Sequence, residues 1–240
     1  MSKIAQQDAA RMQPGRLFVA VDTPDRDRAS ALVRTLGDNV GGIKLGLEFF
    51  AAEGPDGVRA VMAGGQPLFL DLKLHDIPNT VAGAVRSALS LKPAFMTVHT
   101  SGGPAMMRAA ADAAAGSNCR LLGVTVLTSL DDADLSRVGQ QGPALAQVRR
   151  LALLARESGL NGIVCAPHEV AAVRAETGPG FAIVVPGIRP AWAEAGDQKR
   201  AMSPAQAMAA GADHLVVGRP ITGAADPAEA ARRILAEIGS

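Results

Sequence analysis

The chain has 240 residues, of which 48% are hydrophobic and 20% are charged, and its 24 basic and 23 acidic side chains leave a formal net charge of +1. This composition is typical of a globular protein and excludes a disordered chain. The balanced charge argues against a nucleic-acid-binding domain, and no apolar run approaches the roughly 18 residues that a membrane span needs, so neither a nucleic acid nor a membrane is an expected partner.

Residues 1–16 are polar, and we expect them to form a poorly ordered N-terminal extension ahead of one domain that covers residues 17–240. They also lack the apolar stretch of a secretory signal. The two cysteines, Cys119 and Cys165, are too few to stabilise a domain of this size by disulfides. Both are therefore expected to be reduced, which indicates a cytoplasmic protein.

From residue 17 onward, short apolar runs alternate with amphipathic stretches. The runs predict eight strands: Leu17–Val21, Gly42–Leu45, Pro67–Leu72, Ala94–His99, Leu121–Leu127, Gly162–Cys165, Phe181–Val185 and His214–Val217. Most of these runs are apolar almost throughout, which is typical of parallel strands buried on both faces.

The amphipathic stretches between the runs predict helices. Leu32, Val33 and Leu36, for example, share one helical face ahead of Gly37, a typical helix-ending residue. Proline stands where a first helical turn is expected at Pro55, Pro104, Pro143, Pro204 and Pro227.

Eight such strand–helix units with no linker between them predict a closed (β/α)₈ barrel, the TIM barrel of the α/β class, in a single domain. The alternative is an open doubly wound sheet. A dinucleotide-binding sheet of that kind would carry a glycine-rich turn after its first strand. Here Val21 leads into Asp22, Thr23 and Pro24, with no glycine.

Charged residues interrupt the apolar runs at the ends of the first three strands. Asp71 and Lys73 are two residues apart, so a strand would point both to the same side, and Asp76 follows them. Asp22 ends the first strand, and Lys44 lies near the end of the second. Active sites of barrels lie at this end of the strands, and three carboxylates with two ammonium groups can stabilise a carbanion and deliver a proton without a metal. The alternative, a surface ion-pair network, is disfavoured because charge in an apolar strand is costly unless it is paired or used.

A phosphate site is predicted after the last two strands, where barrels often bind phosphate. Gly218 lets backbone N–H groups approach an anion, and Arg219 supplies a charge that can bind it through two hydrogen bonds. Arg189 follows the seventh strand, and Gln198 is within reach of the same anion. Gln198 lies in the long connection 187–202, which we expect to be a lid; a second long connection covers 129–142.

No metal-ligand spacing links the four histidines and two cysteines, and no zinc, iron–sulfur or calcium motif occurs, so no metal or other cofactor is expected.

At these residues the sequence resembles the orotidine 5′-phosphate decarboxylase family, whose members form UMP in pyrimidine biosynthesis. The resemblance extends from Asp22 to Thr222. The block Asp71-x-Lys73-x-x-Asp76-Ile77-Pro78-x-Thr80 is highly specific for that family. The supporting segments, which match in order, are Val21-Asp22, Ile43-Lys44, Val124 to Ser129, Pro186 to Arg189, Gly196 to Gln198 and Val217 to Pro220.

The resemblance implies decarboxylation of orotidine 5′-phosphate through a vinyl-type carbanion, with no metal or organic cofactor. Asp71 would face the substrate carboxylate, and Lys73 would protonate C6 of the pyrimidine after CO₂ leaves. Lys44 and Asp76 would orient and balance this pair.

The resemblance also implies roles in substrate binding and a homodimer with its active sites at the interface. Asp76, Ile77 and Thr80 would enter the site of the partner subunit. Asp22 would contact the ribose, and Thr128 would touch the pyrimidine or the phosphate-side loop. The phosphate would be held by Arg189, Gln198, Gly218 and Arg219.

Two alternatives remain at this point. The first is a sugar-phosphate lyase or decarboxylase with the same barrel, which would use Mg²⁺ and an enediolate; the segments Ile77–Thr80 and Gly187–Pro190 favour the orotidine function over it. The second is a catalytically silent barrel that only binds a phosphorylated ligand. The alternating charges argue against the second, because binding alone does not need them.

Overall fold

The computed structural model describes residues 15–193 and 202–239 of the chain. Within these ranges, parallel strands close into a barrel in which each strand pairs with its neighbours in sequence and the last returns to the first. The strands are β1 (Leu17–Ala20), β2 (Gly42–Gly46), β3 (Leu68–Leu74), β4 (Phe95–His99), β5 (Arg120–Val124), β6 (Gly162–Val164), β7 (Ala182–Val185) and β8 (His214–Val217). The predicted (β/α)₈ barrel is confirmed, and the predicted strands differ from the observed ones only at their ends.

Helices cover the outside of the barrel. They are α1 (Arg26–Leu36), α2 (Leu47–Val61), α3 (Pro78–Ala88), α4 (Gly103–Ala114), α5 (Asp132–Arg137), α6 (Ala144–Glu157), α7 (Val170–Thr177), α8 (Pro204–Ala209), α9 (Arg219–Thr222) and α10 (Pro227–Gly239). No helix in the described ranges is long and apolar enough to cross a membrane.

Short-range sequence signals fix several helix ends. The Asp25 carboxylate caps α1 by accepting hydrogen bonds from two backbone N–H groups at 2.9 Å. Helix α2 begins at Leu47, earlier than Pro55 predicts, and Gly54 breaks it with φ of 60°, so Pro55 begins only its second segment. The connection 129–142 is also not a plain loop, because it contains α5, which Asp131 caps.

The predicted extension 1–16 lies mostly outside the described residues, which begin at Gly15. The two residues that are described meet the last strand of the barrel. The Gly15 carbonyl lies 3.0 Å from Nδ1 of His214, and the Arg16 carbonyl accepts a 2.7 Å hydrogen bond from the N–H of Leu215.

Strand residues alternate between two apolar layers. Leu17 and Val19 belong to the outer layer, which the strands share with the buried faces of the helices. Phe18 and its counterparts from other strands belong to a separate inner cluster that fills the barrel. Phe18 packs edge-on against Phe69 and Phe95, with ring centroids 5.7 and 5.4 Å apart. This inner layer closes the barrel below its carboxyl end.

Truncating Phe18 tests the inner layer. Because Phe18 is fully buried between two other rings, we expect Phe18→Ala to lower the free energy of unfolding by about 3–5 kcal/mol. Phe18→Leu, which keeps most of the volume, is expected to cost about 1.5 kcal/mol. Urea denaturation followed by circular dichroism measures both. The matched surface control is Val138→Ala, since Val138 is 68% exposed; a Phe18→Ala cost no greater than this control's would contradict the packing argument.

Candidate active site

A cavity of about 310 Å³ opens at the carboxyl end of the barrel strands. Phe69 of the inner layer contributes to its floor. Its charged lining comes from two parts of the chain: the ends of the first three strands, and the segments that follow β7 and β8. These residues are Asp22, Lys44, Asp71, Lys73, Arg189 and Arg219.

The first group forms a continuous chain of ion pairs. Nζ of Lys44 lies 3.3 Å from Oδ1 of Asp22 and 3.5 Å from Oδ2 of Asp71. Nζ of Lys73 donates a 2.8 Å hydrogen bond to the same Oδ2 of Asp71. Four of the five charged residues of the predicted array therefore meet here, whereas Asp76 does not, and the central carboxylate holds two ammonium groups.

The sequence predicted that a regular strand would place Asp71 and Lys73 on the same side. In the structure, their contact arises instead from a bulge in β3. Leu70 pairs with Met96 of β4, but the next pair joins Leu74 to Val98, so β3 carries two more residues than its partner over this stretch. Lys73 lies in this bulge with φ of 49°, which is rare for a residue other than glycine. The bulge directs the Lys73 side chain back to Asp71.

Asp71 is almost completely buried, with 8% of the residue exposed. Burial alone would raise the pKa of its carboxyl group. The charges of Lys44 and Lys73, together with hydrogen bonds from Lys73 and Thr97, outweigh burial and lower the pKa below its ordinary value of 3.8. Asp71 is therefore a desolvated carboxylate that stays ionised.

The predicted phosphate-side residues Arg189, Gly218 and Arg219 all line the cavity, as does Thr128. A Cβ on Gly218 would lie 3.5 Å from Ala20 and 4.0 Å from the Asp22 carboxylate, so the glycine keeps this wall open towards the ion pairs. Gln198 lies outside the described residues, as does half of the expected lid 187–202. The first part of that segment is held at Trp192, whose ring NH donates to Glu237 of α10 at 3.1 Å.

Three predicted site residues do not join the cavity within this chain. Asp76, Ile77 and Thr80 follow β3 on the surface, and none of them is part of the lining. Ile77 is 67% exposed, and its N–H donates to the Asp76 carboxylate at 2.6 Å. Their expected contribution to the site of a partner subunit stays a prediction.

Sequence reasoning missed three residues at the site. Thr97 of β4 is fully buried, and its hydroxyl donates to Oδ1 of Asp71 at 2.9 Å. The sequence feature that could have identified it is a polar residue within an apolar strand. Gly46 leaves room for Lys44, because a Cβ there would lie 3.3 Å from Nζ. Cys165 is buried as predicted but also lines the cavity, and burial together with the charge of Glu169 raises the pKa of its thiol well above the ordinary value.

Within 15–193 and 202–239, no group of three or more histidine, cysteine, aspartate or glutamate side chains is arranged to hold a metal ion. The two cysteines are free.

Comparisons with known proteins agree on one family. Residues 15–234 match the family described as orotidine 5′-phosphate decarboxylase / HUMPS. An orotidine 5′-phosphate decarboxylase of Paramagnetospirillum magneticum is 59% identical over 93% of this chain and 98% of its own length. An orotidine 5′-phosphate decarboxylase of Rhodospirillum rubrum is 54% identical over 95% of this chain and 96% of its own length. The crystal structure of the Lactobacillus acidophilus enzyme of that name superposes with a TM-score of 0.84 at 36% identity, covering 94% of this chain and all of the other.

Replacing Asp71 by Asn tests the electrostatics of the site. The change leaves the Lys44 and Lys73 ammonium groups without their shared counter-charge. Since removing one member of a buried ion pair costs about 3–5 kcal/mol, we expect the free energy of unfolding at neutral pH to fall by about 3 kcal/mol. Urea denaturation measures it. The control is Asp56→Asn, because Asp56 pairs with Arg59 on the surface, where a pair is worth less than about 1 kcal/mol.

The pH dependence gives a second check on the same variant. The pKa of Asp71 is lower in the folded protein than its ordinary value of 3.8, so its stabilisation is complete above that value and is lost as the pH falls through the folded pKa. The difference between wild type and Asp71→Asn is therefore expected to be constant down to about pH 5 and to shrink only below about pH 4. A difference that already shrinks near neutral pH would contradict a lowered pKa.

Proposed function

The chain belongs to the orotidine 5′-phosphate decarboxylase / HUMPS family, and we propose that it converts orotidine 5′-phosphate to UMP and CO₂ with Lys73 as the proton donor. The observation that carries the proposal is the chain of ion pairs from Asp22 through Lys44 and Asp71 to Lys73 in one cavity. The family description names HUMPS proteins as well as the decarboxylases. The curated relatives with more than half of their residues identical carry the decarboxylase name.

The charged array supplies what this decarboxylation needs. When the bond between C6 and the carboxyl carbon breaks, CO₂ leaves and the electron pair stays on C6. The Lys73 ammonium lies 2.8 Å from the Asp71 carboxylate, so a cation is already in place where negative charge develops. Lys73 then protonates C6, which gives UMP, and recovers its proton from solvent. Asp71 faces the substrate carboxylate, and Lys44 balances its charge.

The remaining lining fits the other parts of the substrate. Asp22 is 59% exposed at its side chain and accepts hydrogen bonds from the ribose hydroxyls. Thr128 contacts the pyrimidine or the loop beside the phosphate. The phosphate is held by Arg189, Gln198, Gly218 and Arg219, with Gln198 on the segment that closes over it. No metal or organic cofactor takes part in this scheme.

The active form is a homodimer in the proposed scheme. Asp76, Ile77 and Thr80 are exposed next to the cavity-lining strand β3, and they complete the site of the partner subunit. An isoleucine that is 67% exposed beside a charged segment supports burial in such an interface. The reaction takes place in the cytoplasm, where the two buried cysteines remain thiols.

The proposed reaction is tested by measuring CO₂ and UMP formed from orotidine 5′-phosphate after exhaustive treatment with EDTA. We expect full turnover by the wild-type protein. Loss of the proton donor in Lys73→Ala is expected to reduce kcat by about 10³-fold or more, while thermal unfolding shows an intact fold. No release by the wild-type protein, with turnover of sugar phosphates once Mg²⁺ is restored, would move the chain to the sugar-phosphate branch.

The shared active site is tested by mixing two inactive variants, Lys73→Ala and Asp76→Asn. In a mixed dimer, one site carries both changes and the other carries neither. Random exchange of subunits is therefore expected to restore about one quarter of the wild-type activity. Each variant alone, taken through the same unfolding and refolding, is the control. Failure to recover activity in dimers shown to be mixed would contradict the contribution of Asp76 to the partner's site.

A further inference from the structure

Thr97 lies directly beneath the charged array without reaching the cavity. Its neighbours Met96 and Val98 belong to the outer apolar layer, so the alternation of β4 points Thr97 into the barrel. The residue is fully buried and is not part of the cavity lining. A bound ligand therefore does not touch it, and any effect of Thr97 on the reaction must pass through another residue.

The bulge in β3 leaves Thr97 opposite an unusual stretch of chain. Pairing jumps from Leu70 with Met96 to Leu74 with Val98. Three residues of β3, including both Asp71 and Lys73, therefore face the single residue Thr97. The regular ladder of backbone hydrogen bonds is interrupted here, and a buried N–H that loses its strand partner needs another acceptor.

The Thr97 hydroxyl supplies that acceptor and a donor at once. It accepts a 2.9 Å hydrogen bond from the backbone N–H of Lys73 and donates a 2.9 Å hydrogen bond to Oδ1 of Asp71. Nζ of Lys73 closes the ring by donating to Oδ2 of Asp71 at 2.8 Å. The backbone and the ammonium group of Lys73 are thus tied to one carboxylate through one hydroxyl.

We propose that Thr97 is a positioning residue for the proposed decarboxylation: it holds the carboxylate of Asp71 and the left-handed backbone of Lys73 as one unit, so that the fold itself aims the ammonium group at the reacting carbon. The inference rests on the proposed function. Without the hydroxyl, Oδ1 of Asp71 loses its hydrogen bond, so the carboxylate is held less firmly, through the contacts of Oδ2 with Lys44 and Lys73. The backbone of Lys73 loses the contact that holds its unfavourable conformation.

Valine and serine separate the hydroxyl from the shape of the side chain. Thr97→Val keeps the volume and removes both hydrogen bonds, whereas Thr97→Ser keeps the hydroxyl and removes a methyl group. We expect kcat of Thr97→Val to fall about 10- to 100-fold, because the lost hydrogen bond ends on a charged group. KM and the Kd for UMP are expected to change less than about threefold, because Thr97 does not line the cavity. Thr97→Ser is expected to recover most of kcat.

The matched control is Thr177→Val on helix α7. Thr177 is also a buried threonine, and its hydroxyl donates to the Val173 carbonyl at 2.9 Å. Both valine variants lose a buried hydroxyl, so both are expected to lose thermal stability. Only Thr97→Val is expected to lose kcat.

The pH profile reports on Asp71 directly. The groups that face it are Lys44 from β2, Lys73 from its own strand and Thr97 from β4, with Asp22 beyond Lys44. Loss of the Thr97 donor raises the pKa of Asp71, so the acidic limb of kcat/KM is expected to move to higher pH in Thr97→Val and to stay in place in Thr97→Ser. His99 also titrates near Lys73, so the profiles are compared in a His99→Gln background.

The outcomes separate this inference from the proposed function. A wild-type protein that does not release CO₂ from orotidine 5′-phosphate overturns the proposed function. A wild-type protein that does so while Thr97→Val keeps kcat within about twofold overturns the positioning role alone. Equal losses in Thr97→Val and Thr97→Ser would assign Thr97 to packing and also overturn it. If Thr97→Val does not fold, Thr97→Ala and Thr97→Ser give the same comparison, since both lose the methyl group and only one keeps the hydroxyl.

Discussion

The structure depends on keeping one carboxylate ionised after it has been removed from water. A buried charge is very costly unless hydrogen bonds and opposite charges replace its hydration. Asp71 receives these replacements from three neighbouring strands: Lys44 on β2, Lys73 on β3 and Thr97 on β4. A closed parallel barrel suits this task, because it brings the carboxyl ends of all its strands to one rim and leaves the interior filled by apolar side chains.

The position of the array also follows from what lies below it. The rings of Phe18, Phe69 and Phe95 fill the barrel interior, so water is excluded from beneath the ion pairs. In such surroundings the effective dielectric constant is low, and each charge acts more strongly on its neighbours than it would in water. The same apolar packing that stabilises the barrel therefore strengthens the electrostatics of its active site.

The sequence is sufficient to predict the barrel, because eight buried strands with their helices leave few other topologies. It also identifies the charges, since Asp71 and Lys73 interrupt an otherwise apolar run. The bulge that brings them together is not predictable from the run itself. Side chains of a strand alternate with a period of two, so two extra residues leave the alternating sequence pattern unchanged. The role of Thr97 follows from that bulge, which explains why it was missed. The role proposed for exposed residues such as Ile77 depends on a second subunit, and local sequence patterns do not show where a second subunit would bind.

The two ends of the cavity are built in different ways, and the chemistry accounts for the difference. The charged array sits on strands, with its central carboxylate buried and fully hydrogen-bonded, because groups that stabilise developing charge must be in place before the reaction begins. The end proposed to hold the phosphate is formed by Arg189, on the connection after β7, and by Arg219, an exposed residue that begins the short helix α9 after β8. Under the proposed function, a nucleotide enters and leaves past these residues, and the binding energy of its remote phosphate is available for closure. In this proposal the barrel keeps the reacting groups fixed, while binding and release of the nucleotide involve the segments after its last two strands.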